Sequence, residues 1–176
     1  NYTRRNPNKF EARLRTYLLA SGAGIETAFF DKDGRMGVDL GLRADIVPGG
    51  LNVKLYPEQP VIAYRGFTIN KDNFIYLGRD QSIRANVDLL ADDGTGLKIY
   101  GEPIDSTNDI TLSINRINLG ELSNVIPYLP RLEGMLSGDF HVTDDHKKLS
   151  AMASISTDKL RFEGIDLGEI GVEAIY

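Results

Sequence analysis

Residues 35 to 47 read RMGVDLGLRADIV. Met36, Val38, Leu40, Leu42, Ala44 and Ile46 fall on one parity, and Arg35, Gly37, Asp39, Gly41, Arg43 and Asp45 on the other. A period of two belongs to a strand, whose side chains leave opposite faces in turn, and not to a helix with its 3.6-residue repeat. At about 3.3 Å per residue, such a stretch reaches about 43 Å, roughly twice an ordinary strand. One long apolar stripe therefore faces something while the other face meets water.

The alternation returns along most of the chain. FEARLRTYL sets Phe10, Ala12, Leu14 and Leu18 against Glu11, Arg13 and Arg15. LNVKLY groups Leu51, Val53 and Leu55, and SIRANVDLLA groups Ile83, Ala85, Val87, Leu89 and Ala91. DITLSI aligns Ile110, Leu112 and Ile114, LSGDFHV aligns Leu136, Phe140 and Val142, and LSAMASI aligns Leu149, Ala151, Ala153 and Ile155. FIYLG, LKIYG, KLRFEG and EIGVEAIY complete the series. VIAYRGFTIN changes parity near Gly66, where a bulge is expected. All seven prolines are expected between strands or at their ends, since proline cannot donate to a ladder. Many short-spaced strands with Gly, Asp and Asn turns imply an all-β fold.

NLGELSNVIPYLP breaks the pattern, with Leu119, Leu122 and Ile126 at helical spacing. Asn118 can cap a helix whose Glu121 reaches back to it, and Pro127 ends the ladder, so one short helix is expected near residues 118 to 126. It is too short to cover a sheet but long enough to plug one end of it, or to mark a boundary between two repeat units near residues 118 to 130.

A net charge of −5 argues against a phosphate-binding surface, so no nucleic-acid partner is expected; TRRNPNK near the start reads as a solvated basic terminus. The chain has no cysteine, hence no disulfide framework or thiolate metal site. It has no apolar run long enough to span a bilayer. Starting at Asn1 without a signal peptide, it reads as a piece of a longer polypeptide.

Candidate chemistry is sparse. DKDG (31–34) lacks the third alternate acid of a calcium loop and reads as a hairpin turn. HVTDDH (141–146) holds two imidazoles and two carboxylates, but His141 reads as a strand end with Asp144 and Asp145 as the following turn. DDGTG (92–96) lacks the lysine and helix of a phosphate loop. No nucleophile elbow or zinc helix is present, so neither enzymatic activity nor a cofactor is expected.

Two answers remain for what the stripe faces. One is a second sheet about 10 Å away, in a closed sandwich, barrel or solenoid. The other is a ligand, held in a long open groove; exposed apolar surface of that extent usually marks a binding site.

NLGELSNVIPYLPRLEGMLSGDFHV (118–142) resembles the repeated unit of the TamB and AsmA-like proteins of Gram-negative bacteria. There a strand leads to a short leucine-bearing helix, a proline, a Leu-x-Gly-x-x-x-Gly step and a new strand. YRGFTINKDNFIYLGRDQSIRANVDLLADDGTGLKIYG (64–101) is similar to the strands preceding that unit. The likeness is best over residues 61 to 176. It implies a β-taco, a long curved sheet with an apolar concave groove, here as one segment spanning residues 1 to 176.

It further implies a periplasmic location within a protein anchored in the inner membrane. The groove would bind acyl chains and conduct phospholipid between the two membranes in outer-membrane biogenesis. A TamA-type outer-membrane barrel is a possible partner of the full-length protein, which would make the segment a scaffold for barrel assembly or secretion. A plain structural sandwich is the third reading. The groove would be lined by the apolar-parity residues named above, and open sheet edges would favour self-association.

Overall fold

The computed structural model describes residues 2–6, 10–125 and 130–176; for residues 2–6 and 10 it describes the backbone. The described chain is one antiparallel sheet and one helix. The first strands are β1 (Tyr2–Asn6), β2 (Phe10–Leu19), β3 (Gly22–Asp31), β4 (Met36–Val47) and β5 (Gly50–Ile62). Then come β6 (Arg65–Gly66), β7 (Thr68–Ile69), β8 (Phe74–Gly78), β9 (Ile83–Leu90), β10 (Gly96–Gly101) and β11 (Asn108–Asn118). The helix α1 (Leu119–Val125) precedes β12 (Leu132–Asp144), β13 (Leu149–Phe162) and β14 (Ile165–Ile175).

Strand order in the sheet follows chain order, with β6 and β7 flanking β8 as fragments. β6 pairs with β5, β7 and β8 both pair with β9, and β8 also pairs with β5. The three are pieces of one interrupted strand, so the fold is an up-and-down meander with β1 and β14 outermost among the described strands.

The interruption explains two departures from the sequence reading. Pro57 and Pro60 lie inside β5, not between strands. The register jumps there from Gly41↔Tyr56 to Asp39↔Val61, so residues 57 to 60 face only Leu40. In such a bulge the missing proline N–H costs no ladder bond, and the Pro60 carbonyl still accepts the Phe67 N–H at 2.9 Å. The expected bulge at Gly66 is absent. The parity change comes from a tight turn at Ala63 and Tyr64, with φ of 50° and 64°, the positive pair that two-residue hairpins use.

Between β7 and β8 the chain makes an excursion, NKDN, and its asparagines replace the missing ladder. Asn73 accepts the Leu55 N–H at 2.8 Å and donates to the Leu55 carbonyl at 3.2 Å. Asn70 accepts the Asp88 N–H at 2.9 Å and donates to the Asn86 carbonyl at 3.2 Å. Beyond the end of β10, Asn108 likewise ties β11 to the start of β9, accepting from Ile83 N–H and donating to the Gln81 carbonyl, each at 2.8 Å. Carboxamides suit this use because they carry both a donor and an acceptor, as a peptide group does.

A row of bulges crosses the later strands. Registers slip between Ile114 and Ile117, between Glu133 and Met135, and between Thr157 and Arg161, with Arg116, Gly134, Lys159 and Gly168 at positive φ. Bulges bend strands and sharpen their twist, so a slip repeated from strand to strand curves the whole sheet.

The helix closes one end of the curve. Asn118 accepts the N–H groups of Gly120 and Glu121 at 2.9 and 3.2 Å, which caps α1 as its sequence suggests. Glu121 does not reach back to Asn118; its carboxylate takes the Arg65 guanidinium at 3.3 Å, and Arg65 also pairs with Asp93 in the β9–β10 turn. Val125 reaches across to the start of β4, where its Cγ2 lies 3.1 Å from the place a Cβ on Gly37 would take. In a flat sheet β4 and β11 would stand about 24 Å apart, whereas a seven-residue helix spans about 10 Å. Curvature brings them within its reach. Of the helix expected near residues 118 to 126, Ile126 lies outside the described residues, as does Pro127 after it.

Candidate apolar binding face

Cross-strand partners share a face, so the registers assign every strand position. Val38, Leu40, Leu42, Ala44 and Ile46 lie opposite Phe29, Thr27, Ile25, Ala23 and Ser21-side backbone on β3, and opposite Ile62, Leu55, Val53 and Leu51 on β5. Leu51 and Val53 continue to Leu77 and Ile75, and these to Ile83 and Ala85. Val87 and Leu89 meet Ile99 and Leu97, which meet Leu112 and Ile114. Ile110 and Leu112 meet Val142 and Phe140, and Ile117 meets Leu136. Ala151, Ala153 and Ile155 carry the face to Ala174 and Val172, with Leu149 on the same parity of β13. The apolar residues expected from sequence thus lie on one side of a continuous sheet. Met36 sits past a bulge, opposite Phe30, at its margin.

That face is not uniform. At its centre Val87 is fully buried, and with Leu89, Ala91, Phe67 and Ile69 it forms a dry core flanked by Leu55, Ile62, Ile75, Leu97 and Ile99. Ala85 is buried beside them. These residues pack against one another rather than lining open space. Phe67 and Ile69 were not among the residues singled out from the sequence. Their shared parity in GFTIN was the available signal, obscured by the turn at Ala63 and Tyr64.

Two open wings flank the centre. On the β2–β4 side Leu14, Leu42 and Ile46 are 40%, 39% and 63% exposed, and Met36 is exposed too. On the β13–β14 side Leu149, Ile170 and Val172 are exposed. Val38, Leu40, Leu51, Val53, Ile83, Ile110, Leu112, Ile114, Leu136, Phe140, Val142, Ala151, Ala153 and Ile155 are half-buried. Apolar surface of this extent is uncommon on a soluble protein without an occupant.

The opposite face is mostly polar, although Tyr100, Met152 and Ile175 are exposed on it. The rings of Tyr17 and Tyr56 lie over Gly24 and Gly41 across the ladder, and a Cβ on either glycine would stand 2.1 and 2.4 Å from ring carbons. The two hydroxyls are 2.7 Å apart. Burial, then the bond to Tyr17, pushes the Tyr56 phenol above its ordinary range. A shallow cavity of about 460 Å³ opens beside them, lined by Arg13, Arg15, Glu26, Asp39 and Tyr56 among others.

The motifs weighed for chemistry serve turns. Asp31 accepts the N–H groups of Asp33 and Arg35, and Asp93 that of Thr95. Asp144 accepts from His146 N–H, and Asp145 from Lys147 and Lys148, which holds the Asp145 carboxyl below its usual range. His141 does not end its strand but lies inside β12, its Nε2 2.7 Å from Asp109. Among the described residues no helix is long and apolar enough to cross a membrane. In comparisons with protein families, curated proteins and solved structures, nothing matches this chain.

Proposed function

We propose that this chain is a periplasmic segment of a TamB/AsmA-like protein whose apolar face carries the acyl chains of phospholipids between the inner and outer membranes. The observation that carries the reading is the largely apolar face that runs from β2 to β14, packed at its centre and exposed on both wings. An acyl chain makes no hydrogen bonds and needs only a continuous apolar track. Each buried methylene contributes about 0.8 kcal/mol, so a long chain gains on the order of 10 kcal/mol before ordering costs. The headgroup stays in water at the rim, and headgroup selectivity is weak. The dry centre divides the track in two, so passage along it requires Phe67 and Ile69 to move aside.

The test is organic extraction of the purified chain, with mass spectrometry for phospholipid, followed by transfer of a fluorescent phospholipid between vesicles. Leu42→Arg and Val172→Arg are expected to fold, since the long stem can lie on the wing with its charge in water. Both should lower lipid recovery and transfer several-fold. Absence of lipid from the unmodified chain, together with no transfer, refutes the proposal.

A further inference from the structure

The polar face carries a hollow between β2 and β5, bounded by strands that each have neighbours on both sides. The registers set Arg15, Glu26, Gly41 and Tyr56 in one row across these strands, and Arg13, Ala28 and Asp39 in the next. The two arginines lean apart. The Arg13 guanidinium lies 5.0 Å from the Phe30 ring and that of Arg15 lies 5.8 Å from the Tyr17 ring. Ala28 and Gly41 are too small to fill the space between the rows. What remains is the cavity of about 460 Å³, within the size range of small-ligand sites. Its wall is the Tyr56 ring, seated over Gly41, together with Pro57.

The charges around the hollow are unevenly matched. Glu26 takes Arg15 at 3.3 Å and the Tyr56 hydroxyl at 3.4 Å. Arg13 gives its Nε to Glu11 at 2.7 Å, and among the described residues its two Nη groups have no partner. Asp39 is half-buried, yet among the described residues its carboxylate has neither a hydrogen bond nor an ion pair. Its neighbours on this face are Ala28 and Val61 across the ladder and Gly41 along the strand, none with a group to meet it. A carboxylate that gives up part of its hydration without a partner is poised to accept one.

We infer that this hollow binds a small zwitterion in which a short apolar stem separates an ammonium from a carboxylate. The ammonium bonds to Asp39, the carboxylate takes the Nη groups of Arg13, and the stem lies over Ala28 against Tyr56 and Pro57. Arg13 and Asp39 stand two strands apart, about 10 Å at the usual strand spacing. A charge-assisted hydrogen bond of about 2.8 Å at each end leaves about 4 to 5 Å between the ligand's own charges, the reach of a short ω-amino acid. A plain cation is disfavoured by the two arginines, and a plain anion by Glu26 and Asp39. The site lies on the face opposite the apolar one, so the inference holds whether or not that face carries lipid.

The probe is γ-aminobutyrate, compared with butylamine and butyrate, which each lack one of its charges. Binding to the whole chain is read by calorimetry and by amide chemical shifts. The zwitterion should bind roughly tenfold more tightly than either analogue, the worth of one charge-assisted hydrogen bond, and should shift the amides of Ala28 and Gly41. Asp39→Asn should remove the preference over butyrate at an unchanged melting temperature, since the carboxylate has no partner to lose. Arg13→Gln should remove the preference over butylamine. Ala28→Leu, which fills the floor, should abolish binding of all three. Equal affinity for the three probes, no saturable binding at millimolar concentration, shifts confined to other strands, or unaltered preference in Asp39→Asn overturns the inference.

Discussion

Val87 has none of its surface exposed, whereas Leu42, on the same face and three strands away in the sheet, is 39% exposed. The two residues separate a packed interior from an open wing. Arginine at Val87 would bring a guanidinium among Phe67, Ile69 and Leu89, at a cost of several kcal/mol against a domain stability of about 5 to 15 kcal/mol. Val87→Arg is expected to be insoluble or unfolded, while Asn86→Arg, on the polar parity, and Leu42→Arg should keep soluble yield and a near-normal melting temperature by circular dichroism. Folding of all three would mean the centre opens easily. The parity of Val87 was legible in SIRANVDLLA, because alternation is a local property of the backbone. Its burial was not. That depends on Phe67 and Ile69 entering the same face, and so on Asn70 and Asn73 substituting for a broken ladder through bonds to residues up to 18 positions away.

At the scale of elements, α1 shows the same division between local and distant causes. Its start was legible, because Asn118 caps through bonds to residues two and three places on. The role of Glu121 was not, because Arg65 lies 56 residues away and nothing in the spacing announces it. Asn118→Ala should cost about 0.5 to 2 kcal/mol, the usual loss for a removed cap. Glu121→Ala should cost less than about 1 kcal/mol, since Arg65 keeps Asp93 and the site is partly solvated. Urea titrations of the two variants check the order, and a larger loss from Glu121→Ala would mean that the ion pair, not the cap, holds the helix. Strand β5 reads the same way. Its prolines argue for a break when seen alone, and only the opposing bulge beside Leu40 lets the strand run on.

For the whole molecule, each main strand bonds only to its neighbours in the chain, as in repeat proteins where stability is a sum of local and nearest-neighbour contributions. Such a sheet opens from its ends, and burial is greatest at β9 and least at β14. Hydrogen exchange should therefore be slowest for amides of β9 and β10 and fastest along β14. Uniform protection across the sheet would indicate a single cooperative unit instead. The strictly sequential order also has a mechanical meaning. Tension applied between the two outermost strands would load the ladder bonds a few at a time, peeling one strand from the next like a zip rather than shearing the sheet as a block. The chain would yield at modest force in a series of small extensions, and it could lengthen under strain while its buried middle strands stayed paired.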